Sequence, residues 1–114
     1  MNFIIRLIIT GLVAFALAYI LPGIAIDSLW TSIVLALVLA LLNGILKPIL
    51  VILTLPISLL TFGLFLFVIN ALIILLAGRF VDGFVVNGFW WALLFSLLLS
   101  IITSALFKES KPKD

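Results

Sequence analysis

Residues Asn43 to Asn70 read N-G-I-L-K-P-I-L-V-I-L-T-L-P-I-S-L-L-T-F-G-L-F-L-F-V-I-N. The stretch is apolar enough for lipid, yet it is punctuated by Lys47, Pro48, Pro56, Gly63 and Asn70. A helix needs about 20 apolar residues to cross about 30 Å of hydrocarbon, and the run from Pro48 to Ala77 is longer than one crossing requires. Proline has no N–H and pushes the residue before it out of helical geometry. Lys47-Pro48 therefore reads as a turn between two spans. Ile49 to Leu55 reads as a short broken piece, interfacial, re-entrant or fused to the next span, which begins at Pro56 or Ile57.

Outward from that stretch, composition sets the class. Of 114 residues, 68% are hydrophobic and 9% charged, which is too little polar surface for a soluble domain of this size and marks an integral membrane protein. The chain has no cysteine and no histidine, so thiol chemistry, disulfides and the usual zinc or haem ligand sets are excluded and no cofactor is expected. A net charge of +2 is a topology signal and gives no footprint for nucleic acid. Ala14, Ala16 and Ala18 imitate a signal-peptide cleavage site, but three more apolar blocks follow, so the first block reads as a retained span.

Four spans emerge, making an all-α polytopic membrane protein with a Pro-broken segment before the third. Span one covers Phe3 to Leu21 and ends at Pro22-Gly23. Asp27 or Ser28 then caps span two, Trp30 to Leu46, by accepting first-turn N–H groups. Span three runs from Pro56 or Ile57 to Ala77, and span four from Phe89 to Phe107. Residues 1–107 form one transmembrane domain, and 108–114 form a short charged tail. With four spans, Arg6, Lys47, Lys108, Lys111 and Lys113 share one side against Arg79 alone on the other. The positive-inside rule then puts both termini in the cytoplasm of a bacterial plasma (inner) membrane, with Tyr19, Trp30, Trp90 and Trp91 at the outer interface.

Trp30 and Trp90 stand 60 positions apart, and the offset extends around them. Ile24 to Trp30 lies over Phe84 to Trp90, with Gly23 over Gly83. The chain thus reads as two parallel two-helix repeats, residues 3–47 and 63–107, joined by the broken segment 48–62. Small residues follow the same offset: Ser32, Ala36, Ala40 and Gly44 in span two, and Ala92, Ser96, Ser100 and Ser104 in span four. Such stripes permit close helix approach in lipid, so spans two and four are expected to pack along them, within one chain or between chains.

Asn70 is the leading candidate for function, because a carboxamide in hydrocarbon needs a partner. Its structural role would be a hydrogen bond to Thr10 or Asn43; its functional role would be contact with a substrate or conducted species. Asn43 could instead serve carbonyls freed by Pro48, and Thr54, Ser58 and Thr61 could serve the kink at Pro56. Asp27, Arg79 and Asp82 form the one plausible charged group on the outer face. No base stands beside the serines, so enzyme chemistry is not expected.

The order Asn43-Gly44-Ile45-Leu46-Lys47-Pro48, Leu53-Thr54-Leu55-Pro56-Ile57, Thr61-Phe62-Gly63-Leu64-Phe65 and Asn70 resembles the bacterial four-helix membrane family labelled phage holin superfamily IV, or YvlD-like. The resemblance spans Arg6 to Phe107 and implies a small four-span inner-membrane protein whose biochemical role is unassigned. Asn43, Lys47, Pro48, Pro56, Gly63 and Asn70 match the family pattern, with no catalytic or ligand role attached. The leading expectation is a self-associating, holin-like or channel-like protein. The alternatives are an envelope protein that binds lipid or a partner membrane protein through Asp27, Arg79 and Asp82, and a minimal transporter whose flux depends on Asn70. Membrane lipids, a second copy of the chain and a partner membrane protein are the partners these readings entail.

Overall fold

The computed structural model describes residues 2–110, with side chains as far as Phe107. Helix α1 covers Phe3–Ile20, capped by Asn2, whose side chain accepts from the Ile4 N–H at 2.7 Å. Helix α2 covers Leu29–Leu41, a π-helical turn follows at Leu42–Leu46, and α3 (Lys47–Leu53) continues the same rod. Helix α4 (Leu55–Leu60) is a short piece, α5 covers Phe65–Phe80 and α6 covers Phe89–Ser110. The protein is a multi-spanning helical membrane protein. Among the described residues, Phe3–Ile20, Leu29–Leu53 and Phe89–Phe107 are long and apolar enough to cross a bilayer, and Phe65–Phe80 is a shorter apolar helix.

Lys47-Pro48 is not a turn. The chain stays helical for 25 residues, from Leu29 to Leu53, so the second span ends well beyond Leu46. The π turn explains why: the Lys47 N–H reaches back to the Leu42 carbonyl, and this wider winding absorbs the N–H that Pro48 lacks. Of segment 49–55, residues 49–53 are therefore fused to the second span, and Leu55 opens the next short helix. The break comes later. At Thr54 the rod bends, with the Thr54 hydroxyl donating to the Leu50 carbonyl at 2.8 Å. At Thr61 to Leu64 the chain turns through Phe62 and Gly63, both at positive φ (55° and 86°). Thr61 donates to the Ile57 carbonyl at 3.1 Å and accepts from the Phe65 N–H at 3.2 Å. Ser58, expected to help in the same way, is buried with its hydroxyl unpartnered. The third long helix therefore starts at Phe65 and not near Pro56.

Two three-residue strands, β1 (Ile24–Ile26) and β2 (Phe84–Val86), join the loops after α1 and after α5. They pair antiparallel, Ile24 with Val86, Ala25 with Val85 and Ile26 with Phe84. The central pair is separated by 60 positions, and the flanking bonds obey the same offset. Asp27 N–H donates to Gly83 O at 3.0 Å, and Asn87 N–H to Gly23 O at 2.9 Å. Leu21 N–H meets Leu17 O at 2.8 Å, and Val81 N–H meets Ala77 O at 3.0 Å.

The helices form a ring in which α1 lies beside α2 and α6, and α5 beside the same two. Helices α2 and α6 stand diagonally, sharing no Cα pair within 8 Å among the described residues. The two small-residue stripes therefore do not meet each other. Their ends nearest the strands are buried, as Ser32, Ala36, Ala92 and Ser96; Gly44, Ser100 and Ser104 are exposed. Ser32 and Ser96 satisfy their hydroxyls on the Leu29 and Leu93 carbonyls of their own helices, at 2.7 and 2.9 Å.

The core is held by Ala14, Leu17, Leu35, Phe95, Ile74 and Ala77 between the helices, with Phe84 of β2 against Phe95 at 5.7 Å between ring centroids. Close approach sets this end of the molecule. A Cβ on Gly23 would sit 2.1 Å from the Trp91 ring. Tyr19, Trp30 and Trp90 are exposed around the same end, as amphipathic rings at an interface would be.

Candidate functional site

At the end of the ring opposite the strands, the helices do not fill the space between them. A cavity of about 440 Å³ lies between α1, α2 and α6, lined by Phe3, Arg6, Leu7, Thr10, Ala36, Leu39, Ala40, Asn43, Leu99, Ser100, Thr103 and Phe107. A smaller one of about 60 Å³ adjoins it and is lined by Lys47, Asn70, Ile73, Ile74 and Ser96 together with Leu39, Asn43, Leu99 and Ser100, which border both. The linings correspond at the same 60-position offset: Thr10 with Asn70, Ala36 with Ser96, Ala40 with Ser100, Asn43 with Thr103 and Lys47 with Phe107. The cavity lies where the diagonal pair α2 and α6 face each other without touching.

Part of the polar lining is without a hydrogen-bond partner among the described residues. Asn43 and Asn70 were expected to bond each other, Thr10 or the carbonyls near Pro48; among the described residues neither carboxamide makes a hydrogen bond. The Thr103 hydroxyl donates to the Leu99 carbonyl at 2.7 Å and to the Ser100 carbonyl at 3.4 Å, while among the described residues the Ser100 and Thr10 hydroxyls make no hydrogen bond. Arg6 lies over the Phe107 ring at 4.7 Å, a cation–π contact that holds the guanidinium at the rim. Among the described residues no acidic side chain lines either cavity. Arg6, Asn43 and Ser100 are exposed and Thr10 and Asn70 half-buried, so these polar groups are open to water or a polar guest.

Towards the strands the space closes. Leu35 and Phe95 are fully buried one turn beyond Leu39 and Leu99, with Ala14 and Ile74 beside them. The polar basin is thus blind within one chain.

The other residues singled out from the sequence lie elsewhere. Asp27 accepts from the Thr31 hydroxyl at 2.5 Å and abuts Gly83, whose φ of 93° also favours glycine. Arg79 and Asp82 form no ion pair with each other or with Asp27 among the described residues, so the expected charged cluster is not assembled. Pro48 lies within the second span's rod, Pro56 and Gly63 belong to the bent connection after it, and all three lie outside the lining of either cavity. The basic tail residues Lys111 and Lys113 lie outside the described residues. Sequence reading assigned Arg6 to topology alone, and passed over Thr103 and Phe107. The offset that pairs them with Asn43 and Lys47 was the available signal. Among the described residues no group of three or more metal-ligating side chains comes together.

Residues 1–105 match the family described as mycobacterial 4 TMS phage holin, superfamily IV. The chain is 35% identical over 98 residues to the uncharacterized membrane protein YvlD of Bacillus subtilis, covering 85% of this chain and 82% of that one. It is 48% identical over 80 residues to the uncharacterized protein SCO3922 of Streptomyces coelicolor, covering 67% of this chain and 64% of the relative. No solved structure matches it.

Proposed function

This chain belongs to the superfamily IV phage holin family, a group of small non-catalytic membrane proteins, and from that premise we propose that it is a channel-like membrane module in a closed state. Four spans are arranged as two parallel two-helix repeats, about 3–47 and 63–107, linked by apolar residues 48–62, which continue the second span as far as Leu53 before the chain bends. Both termini face the cytoplasm of the bacterial inner membrane, so the polar basin is a vestibule open on that side, and Leu35 and Phe95 plug it on the outer side. The supporting observation is the basin itself, a cavity of about 440 Å³ on the line between diagonal helices, with polar side chains at offset-related positions. Parallel repeats elsewhere bind their solutes at the interface between halves.

The absence of cysteine makes the test direct, because each introduced thiol is unique. Ala40→Cys should react with a membrane-impermeant maleimide from the cytoplasmic face, whereas Ser32→Cys, two turns along the same stripe, should not. Equal reactivity, or reaction of Ala40→Cys from outside alone, would overturn the vestibule. Opening the plug with Leu35→Ser should raise ion efflux from proteoliposomes above wild type. A folded Leu35→Ser protein with no added flux would remove the channel reading.

Self-association is the second reading, favoured by Gly44, which has open space where a Cβ would stand, and by exposed Ser104 on α6. In this holin-like form the permeable path runs between chains. A defined oligomer in native-lipid mass measurements is expected, and a strict monomer would sink it.

A further inference from the structure

We propose that the vestibule is an anion site built for a phosphate group; this deepens the vestibule reading and rests on it. Arg6 and Lys47 border the two adjoining cavities, and no carboxylate among the lining residues neutralises them. Cations at a cytoplasmic membrane end need no ligand to explain them, since the positive-inside bias places them there. The carboxamides are different. Asn43 borders both cavities, with Arg6 in the larger and Lys47 in the smaller, Asn70 lines the smaller one beside Lys47, and neither carboxamide has a hydrogen-bond partner among the described residues. Each offers two N–H donors. Ser100, which borders both cavities, adds a hydroxyl.

Two cations, two carboxamides and a hydroxyl around a lining without acid make a donor-rich set, and an oxyanion is the guest it satisfies. The volume of about 440 Å³ admits a polyatomic group and is loose for a bare halide. Phe107 restrains the Arg6 guanidinium by stacking, and its N–H groups make no hydrogen bond to the described residues. A guanidinium so held is suited to the paired oxygens of a phosphate. The phosphate of a lipid headgroup and a free phosphate share this chemistry, and the test separates them.

The full chain carrying Ala40→Cys as reporter is purified in a phosphate-free sugar detergent, and maleimide labelling is timed. Inorganic phosphate at the ionic strength of a chloride control, or added phosphatidylglycerol, should slow labelling about tenfold. Protection by inorganic phosphate alone identifies a free solute; protection by phosphatidylglycerol alone identifies a headgroup. Arg6→Gln with Lys47→Gln should abolish either effect, with Ser32→Cys still unreactive in that background to show the fold retained. Labelling indifferent to both additives, equal protection by chloride, or protection surviving the double substitution would overturn the phosphate site and leave the vestibule standing. An Ala40→Cys thiol that never reacts would overturn the vestibule and this inference with it.

Discussion

The strand end and the open end of this molecule are made by the same four long helices, yet one is filled and the other holds a basin. At the strand end the offset-related Leu35 and Phe95 are both fully buried, and, outside that offset, Gly23 leaves room for the Trp91 ring. At the open end the corresponding positions carry short polar groups, Asn43 with Thr103 and Thr10 with Asn70, which do not reach each other across the ring. Lipid provides no hydrophobic drive between helices, so association depends on packing and hydrogen bonds. A helix ring closes where side chains interdigitate and stays open where they do not.

That contrast makes a ranked set of stability predictions. Phe95→Ala should have the largest effect, about 3 kcal/mol lost, because the removed ring leaves a void in a close-packed layer. Thermal unfolding in detergent measures it, and a loss below about 1 kcal/mol would mean the strand end is not the rigid one. Gly23→Ala should follow at about 2 kcal/mol, since the new methyl would meet the Trp91 ring at 2.1 Å. Combining it with Trp91→Ala should return part of the loss, and strict additivity would break the steric account. Asn70→Leu should have the smallest effect, within about 0.5 kcal/mol, because no protein hydrogen bond is removed. A clear destabilisation there would show that Asn70 is a packing residue and would erase the difference between the ends.

Much of the architecture could be read directly. Span one, with its end at Pro22-Gly23, matches α1, and the start of span four at Phe89 matches α6. Asn70 and Asn43, expected as possible hydrogen-bond partners, both border the smaller cavity. The hydrogen bond expected between them is not made, although the π turn that carries Asn43 lies beside α5; both side chains open on the cavity instead, and composition carries no side-chain direction. Lys47-Pro48 misled for a local reason. Proline breaks a helix when its missing N–H orphans a carbonyl, and a π turn one step earlier changes the hydrogen-bond register so that the rod survives. The small-residue stripes misled for a global one: periodicity shows which face a helix offers but not which neighbour receives it, and the diagonal placement of α2 and α6 put their inner ends around a cavity.

By itself the sequence determined the membrane class, because 68% hydrophobic residues with 9% charged are incompatible with a soluble fold of this size. It also determined the 60-position correspondence, because similar local strings form similar local structure. The tertiary structure alone decided that the two loops pair as strands about Ala25 and Val85, and that Asn43 and Ser100 border two adjoining cavities, one with Arg6 and the other with Asn70. Those facts depend on how helices far apart in the chain are placed against one another, which packing settles and local propensity does not.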